Sequence, residues 1–273
     1  MPQPLNTLIL NLSNADYHAA EGISKSGLDL IARSPAHYRY APRREPTPAM
    51  FLGTATHCAI LEPERYAIEY VILKDAPDRR SSVYKDAAKE RGAEFVLLQK
   101  EADQIAGMVE AVRANPHAAA LLSAGVAEAS LFAKDPVTGV TVRARFDWLA
   151  DRRPVDLKTT ADASDEAFGK SIWNYRYHVQ DVLYCDVYEW AFGEQPAPME
   201  FLTVESEMPH GCTIHRIPHD FRMYARKLYR ADLNRYAECL ETGHWPGLDG
   251  APHVTQMPGW AVAIVENDSE IIV

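Results

Sequence analysis

The chain has 273 residues, enough for one large domain or two small ones, with 47% hydrophobic and 24% charged residues. No apolar run approaches the about 20 residues that cross a bilayer, and the start, MPQPLNTLILNLSNADYH, lacks the basic region of a signal peptide. The formal net charge of -10, taken alone, argues against a nucleic-acid partner. It leaves room for a local basic groove, because a net charge is only a sum. Cys58, Cys185, Cys212 and Cys239 lie far apart with no CxxC, which argues against a zinc ribbon and fits reduced thiols in a cytoplasm.

In chain order, GISKSGLDLIARSP predicts a helix capped by Ser24 or Ser26 and ended before Pro35, where a second short helix starts. RREPTPAM reads as a loop. AMFLGTATHCAILEP reads as a helix whose Gly53-Thr54-Ala55-Thr56 centre lets a neighbour approach closely. Residues 62–83 read as irregular and 84–124 as helical. Strands are then expected at AEASLFA, at VTVRARFDWLA after the turn KDPVTG, and at PVDLKTT. Alternation in the second of these puts Val140, Val142, Ala144, Phe146 and Trp148 on one face, and Thr141, Arg143, Arg145 and Asp147 on the other. A long helix follows in YRYHVQDVLYCDVYEWAFG, with Val179, Val182, Leu183, Val187 and Trp190 as its core stripe. Two strands, MEFLTVES and GCTIHRIP, lead to a final helix at about 219–242. The elements make one α/β (α+β) domain over 1–273, with its core at about 20–242 and a peripheral tail at 243–273. Basic residues cluster in YRYAPRR, RRP and FRMYARKLYR.

The segment FDWLADRRPVDLKTT carries the chemistry. A bend centred between Asp151 and Arg152 sets Asp147 directly across from Asp156, Cβ to Cβ roughly 5 Å. Like charges so placed repel unless a cation bridges them, and two carboxylates with a backbone carbonyl suit Mg²⁺ or Mn²⁺. Asp156 and Lys158 share a face, so the lysine is set to meet a reacting phosphate. A charged, solvated hairpin is the plainer reading, but Phe146, Trp148, Val155 and Leu157 mark buried strands. Gln180 and Tyr184 form an i, i+4 pair beside the core stripe, which serves either packing or substrate positioning. Arg143 and Arg145, on the face of Asp147, either neutralise its field or contact DNA. The aromatic segment WNYRYH, with His178, serves packing or base stacking. His210, His215 and His219 straddle a strand and Pro218 and give no usual zinc spacing.

ISKSGLDLIARSPAHY, FLGTATHCAILEPERY, RARFDWL, VDLKTT and QDVLYCDVY, in this order over residues 20–240, resemble the PD-(D/E)xK nucleases. More specifically, they resemble the phage and prophage RecE-type exonuclease VIII nuclease domain. The resemblance implies a restriction-endonuclease-like core, a central mixed sheet flanked by helices. It also implies that His57, Asp147, Asp156 and the Leu157 carbonyl hold Mg²⁺, which Mn²⁺ replaces, and that Lys158 polarises the scissile phosphate. Gln180 and Tyr184 fall in the family's Q-x(3)-Y helix, Glu128 near a glutamate of related nucleases, and Ser24 and Ser26 where a helix N-terminus suits a DNA 5′ phosphate. The activity it implies is degradation of linear double-stranded DNA, 5′ to 3′, leaving 3′ single-stranded overhangs. The partners it implies are DNA ends, a phage-type single-strand annealing protein and further copies of the chain in a ring, a tetramer favoured. A structure-specific endonuclease, a helicase-associated nuclease and a DNA-end-binding subunit without catalysis stand as alternatives.

Overall fold

The computed structural model describes residues 3–42, 47–252 and 254–255. Hydroxyl caps start the N-terminal helices: Ser13 for α1 (Asn14–Ala19), Ser24 for α2 (Lys25–Arg33), Ser34 for α3 (Pro35–Tyr40) and Thr47 for α4 (Pro48–Leu61). Each accepts the N–H three residues on, which otherwise lacks a partner at a helix start. Pro35 and Pro48 sit where the helix needs no N–H.

The next region corrects two expectations. Residues 62–83 contain α5 (Pro63–Glu69) and β1 (Val71–Leu73), and 84–124 is not continuous helix. It holds most of α6 (Ser82–Arg91), then β2 (Val96–Leu98), α7 (Gln99–Ala114) and α8 (Pro116–Leu121). β1 and β2 pair in parallel, Val71 opposite Val96. A three-residue apolar strand wedged between helices has no period by which to tell it from helix.

The main sheet runs β3 (Val126–Lys134), β4 (Thr141–Ala150), β5 (Arg153–Thr160), β6 (Glu200–Glu205), β7 (Cys212–Arg216), in that spatial order. All neighbours are antiparallel except β5 and β6. A parallel pair needs a crossover, and α9 (Asp165–Asn174) and α10 (Tyr177–Phe192) supply it. α9 has no counterpart in the sequence reading. α11 (His219–Thr242) covers the expected range, entered at Pro218 and ended by Gly243 at φ 69°. On one face of the sheet α2, α10 and α11 bury Ile31, Phe146, Val182, Leu183 and Leu233; on the other α4, α7 and α8 bury Ala55, Ile105, Met108, Leu157 and Leu202. Each large side chain so buried contributes about 1.5–3 kcal/mol. Gly53 does what its size suggests: a Cβ there would lie 3.3 Å from Thr159 Oγ1, so α4 rests closely on β5. That contact sets His57, one turn along α4, beside the sheet.

The arginines of FRMYARKLYR are spent inside the fold. Arg222, Arg226 and Arg230, one per turn of α11, reach Asp181 at 2.7 Å, Asp186 at 2.5 Å and Asp135 at 2.7 Å. Those carboxylates are buried, and a buried carboxylate without a partner is strongly disfavoured. These arginines are therefore not a DNA-facing cluster. The start of the tail is also pinned: Trp245 stacks on Tyr38 at 5.8 Å, and the Pro246 carbonyl accepts from Ala36 N–H. The rest of the proposed tail, 253 and 256–273, lies outside the described residues. Among the described residues no helix is long and apolar enough to cross a membrane.

Candidate active site

The bend that organises the site is a two-residue turn with Asp151 at φ 42° and Arg152 at φ 62°, the geometry of a tight hairpin. It pairs Ala150 with Arg153, Leu149 with Pro154 and Trp148 with Val155. One step further, that register would set Asp147 opposite Asp156, the pairing the sequence predicts; the last observed pair is Trp148 with Val155. The ladder stops there, however. Asp147 Oδ2 accepts the Leu157 N–H at 2.9 Å, so a carboxylate takes a place that a strand carbonyl would otherwise fill.

A second break lies on the other side of β4. Pairing runs Ala127 to Trp148 and Ala129 to Phe146, and skips the intervening Glu128 and Asp147. Glu128 has φ 51°, a left-handed conformation uncommon for a glutamate. Alternation slips by one residue in both strands at this point. Ala129 and Phe146 pack with α10 and α11, whereas Ala127 and Trp148 pack on the α4 and α7 side. Trp148 therefore does not share the face of Phe146, which corrects the simple period-two reading. The consequence is a row of three carboxylates, Glu128, Asp147 and Asp156, across three adjacent strands.

The neighbours of this row come from both helical layers. His57 Nδ1 of α4 is 3.5 Å from Asp147 Oδ2. From α10, Gln180 Nε2 donates to Asp156 Oδ1, and Tyr184 packs edge-on against Phe146 at 5.5 Å. The Lys158 ammonium lies against Asp156 Oδ2. The structure thus gathers His57, Glu128, Asp147, Asp156, Lys158, Gln180 and Tyr184. Ser24 and Ser26 are accounted for by the start of α2: Ser24 caps it, and Ser26 Oγ lies 3.0 Å from Ser24 Oγ.

Arg143 and Arg145, read as either neutralising Asp147 or contacting DNA, are engaged within the fold. Arg143 Nη1 donates to the carbonyls of Tyr17 at 2.6 Å, His18 at 3.2 Å and Ala20 at 2.6 Å. Arg145 donates to Ser130 Oγ at 2.9 Å and the Leu12 carbonyl at 2.9 Å, and lies 3.5 Å from Glu128. Both guanidinium groups strap the N-terminal segment across β3 and β4, and Arg145 is a counter-charge to Glu128. Two residues that the sequence did not single out border the site. Tyr177 has Lys158 Nζ 4.8 Å from its ring centroid, and Lys25 Nζ lies 5.7 Å from the same centroid.

Electrostatics assign protonation states. Burial and the Asp156 charge raise the Asp147 pKa, against His57, Lys158 and the Leu157 N–H. Burial opposes the charge on Lys158, but Asp156 and Asp147 together overcome it and raise its pKa, so the lysine remains an ammonium and not a base. Burial, with the nearby Tyr17, Asp156 and Asp147, holds the Tyr184 phenol well above its usual range, so it stays neutral. Glu128 is pushed up to about 7 by burial and then by Asp147. A carboxyl whose folded pKa exceeds its unfolded value stabilises the protonated native state, and stability falls as pH rises through that window. For Glu128 the window runs from the ordinary 4.5 to about 7. In chelator, Glu128→Gln should melt with the native protein near pH 4.5 and above it at pH 8, by at most about 3 kcal/mol. Melting curves at the two pH values check this; equal melting at pH 8 rejects the strained, proton-holding glutamate.

Among the described residues no three His, Cys, Asp or Glu side chains close a metal cage. Mg²⁺ does not need one, since it keeps several waters and takes one or two carboxylates plus substrate phosphate oxygens. Asp147 and Asp156 supply such oxygens; Asp156 is buried, with Oδ2 against the Lys158 ammonium. The donor set fits that ion.

A family model described as a PDDEXK-like domain of unknown function (DUF3799) matches residues 24–255. The chain belongs to this PDDEXK-like family. A crystal structure of a putative exonuclease from Eubacterium rectale is similar to it in fold, with a TM-score of 0.62 and 13% identity over 96% of this chain and 100% of that one. No curated protein matches the chain. The five-stranded mixed sheet between helical layers is the PD-(D/E)xK core that the motif order implied. In this PDDEXK-like chain, Asp147 precedes the run Asp156-Leu157-Lys158.

Proposed function

We propose that this protein is a Mg²⁺-dependent exodeoxyribonuclease that degrades linear double-stranded DNA. The observation that carries the reading is the pair of neighbouring acids on adjacent strands, Asp147 and the buried Asp156, with the Lys158 ammonium against Asp156. Asp147, Asp156 and the Leu157 carbonyl would hold the cation, with His57 orienting Asp147 through its 3.5 Å contact. A divalent ion held there would supply a lowered pKa for bound water and neutralise charge on the scissile phosphate. Lys158 adds a compact positive charge at the same phosphate. Gln180 fixes the Asp156 carboxylate by donating to Oδ1. Glu128, one strand from Asp147 and paired with Arg145, would serve as the proton acceptor for that water. Tyr184, kept neutral, offers a hydroxyl donor.

The finer assignment follows the RecE-type resemblance: attack from a 5′ end, a 3′ single-stranded overhang as product, and hand-over to a strand-annealing protein. A ring of copies, a tetramer favoured, reconciles the net charge of -10 with DNA, because only its channel need be basic. The similar fold of a protein described as an exonuclease supports the choice over an endonuclease. Linear and closed circular duplexes incubated with Mg²⁺, with each end labelled in turn, test it. Digestion of the linear form with early release of 5′ label, and an intact circle, is the expected result. A nicked or linearised circle overturns exonuclease action, and no hydrolysis of either overturns the nuclease reading.

A further inference from the structure

Lys158 has a neighbour that the mechanism above does not use. Its ammonium lies 4.8 Å from the centre of the Tyr177 ring as well as against Asp156. The ring is held firmly. It stacks with Phe168 at 5.9 Å and Phe201 at 5.8 Å, both fully buried. Phe201 is the strand partner of Asp156, which ties the ring to the same rung of the sheet. Arg176, just before it, holds a left-handed φ of 54° and is fixed by Asp29 at 3.2 Å and Asp232 at 2.5 Å. A strained residue locked by two ion pairs at the α9–α10 junction aims the tyrosine. Lys25, 5.7 Å from the same ring centre, is anchored by Asp29 at 2.8 Å.

Asp156 is asked to do two things. It binds Lys158 in this structure, yet the proposed chemistry needs its oxygen for a cation and the lysine for a phosphate. An ammonium whose only partner were Asp156 would leave with difficulty. An aromatic face offers a second seat that accepts a partly desolvated cation without competing for a metal. We propose that Tyr177 is a positioning residue for Lys158, whose ring seats the ammonium within the site while Asp156 is engaged elsewhere. The inference rests on the nuclease reading for its effect on rate, and on geometry alone for the seat itself.

Tyr177→Phe keeps the ring face and should keep kcat within about threefold. Tyr177→Leu keeps an apolar side chain against Phe168 and Phe201 without a π face. It should lower kcat on the order of thirtyfold, with KM within about twofold, as expected for a desolvated cation–π contact of about 2 kcal/mol. In a Lys158→Ala background the same leucine should change kcat by less than about threefold, since coupled residues do not add. An activity-free readout accompanies these. Lysines are reductively methylated with ¹³C, which keeps their charge, and the Lys158 resonance is assigned by its loss in Lys158→Ala. Without metal or DNA it should be ring-shifted upfield in the native and phenylalanine proteins and return to the free-lysine position in the leucine protein. Should the leucine protein not fold, Tyr177→Met takes its place. A native kcat in the leucine protein, an equal loss without Lys158, or an unshifted native resonance overturns the inference. If the native protein cleaves no DNA, the nuclease reading fails, and the resonance still decides whether Tyr177 seats the lysine.

Discussion

Asp156→Asn is expected to lower duplex cleavage by about a thousandfold or more while the protein stays folded. The substitution keeps the side-chain volume and an oxygen for the Gln180 donor, and removes only the charge that holds a cation. Loss of several kcal/mol of charge stabilisation at the phosphate accounts for the size of the effect. Sequence alone suggests that losing either acid relieves repulsion and leaves stability level or higher. The structure separates the two. Asp156 is 3% exposed and already neutralised by Lys158, so its loss leaves a mostly buried ammonium short of its partner. In chelator Asp156→Asn should therefore melt a few degrees lower than native, by the order of 1–2 kcal/mol. Single-turnover cleavage and a melting curve check both parts, and activity within tenfold of native removes Asp156 from the site.

Lys158→Ala should slow cleavage by about 10²–10³-fold, the usual consequence of removing one preorganised positive or hydrogen-bonding group from a developing oxyanion. Divalent-cation affinity should be unchanged or tighter, because the ammonium no longer competes for Asp156 Oδ2. Arginine should rescue poorly, since its planar fork at the scissile phosphate differs from a compact point charge. Calorimetric titration of Mg²⁺ into both proteins separates the roles. An alanine protein that no longer binds the cation would show Lys158 to be structural support for the acids.

Local pattern made much of this legible. The two-residue bend brings Asp147 and Asp156 onto neighbouring strands, and Pro218 and Gly243 bracket α11. The i, i+4 spacing of Gln180 and Tyr184 places both on the side of α10 that meets the acids. What stayed hidden depends on distant partners or on backbone conformation. Nothing in AEASLFA signals that Glu128 adopts a left-handed φ and shifts both strands by one residue. The α11 arginines look like a basic surface until Asp135, Asp181 and Asp186 arrive beneath them from elsewhere in the chain. Arg143 and Arg145 alternate as strand residues should, but their partners are carbonyls of an N-terminal segment folded back across the sheet. Tyr177 sat in plain view in WNYRYH, with no spacing to connect it to Lys158.

The central claim is that Asp147 and Asp156 together hold a divalent cation. Melting of the native protein and of Asp147→Asn, in chelator and then in Mg²⁺, tests this most directly. The asparagine side chain retains an oxygen for the Leu157 N–H and removes the charge whose pKa burial and Asp156 raise. Asp147→Asn is expected to melt above native in chelator. Mg²⁺ should raise the native melting temperature by mass action on the folded state, and the variant should gain much less. A native protein indifferent to Mg²⁺, or a variant stabilised by it just as much, would contradict a cation site between the two acids.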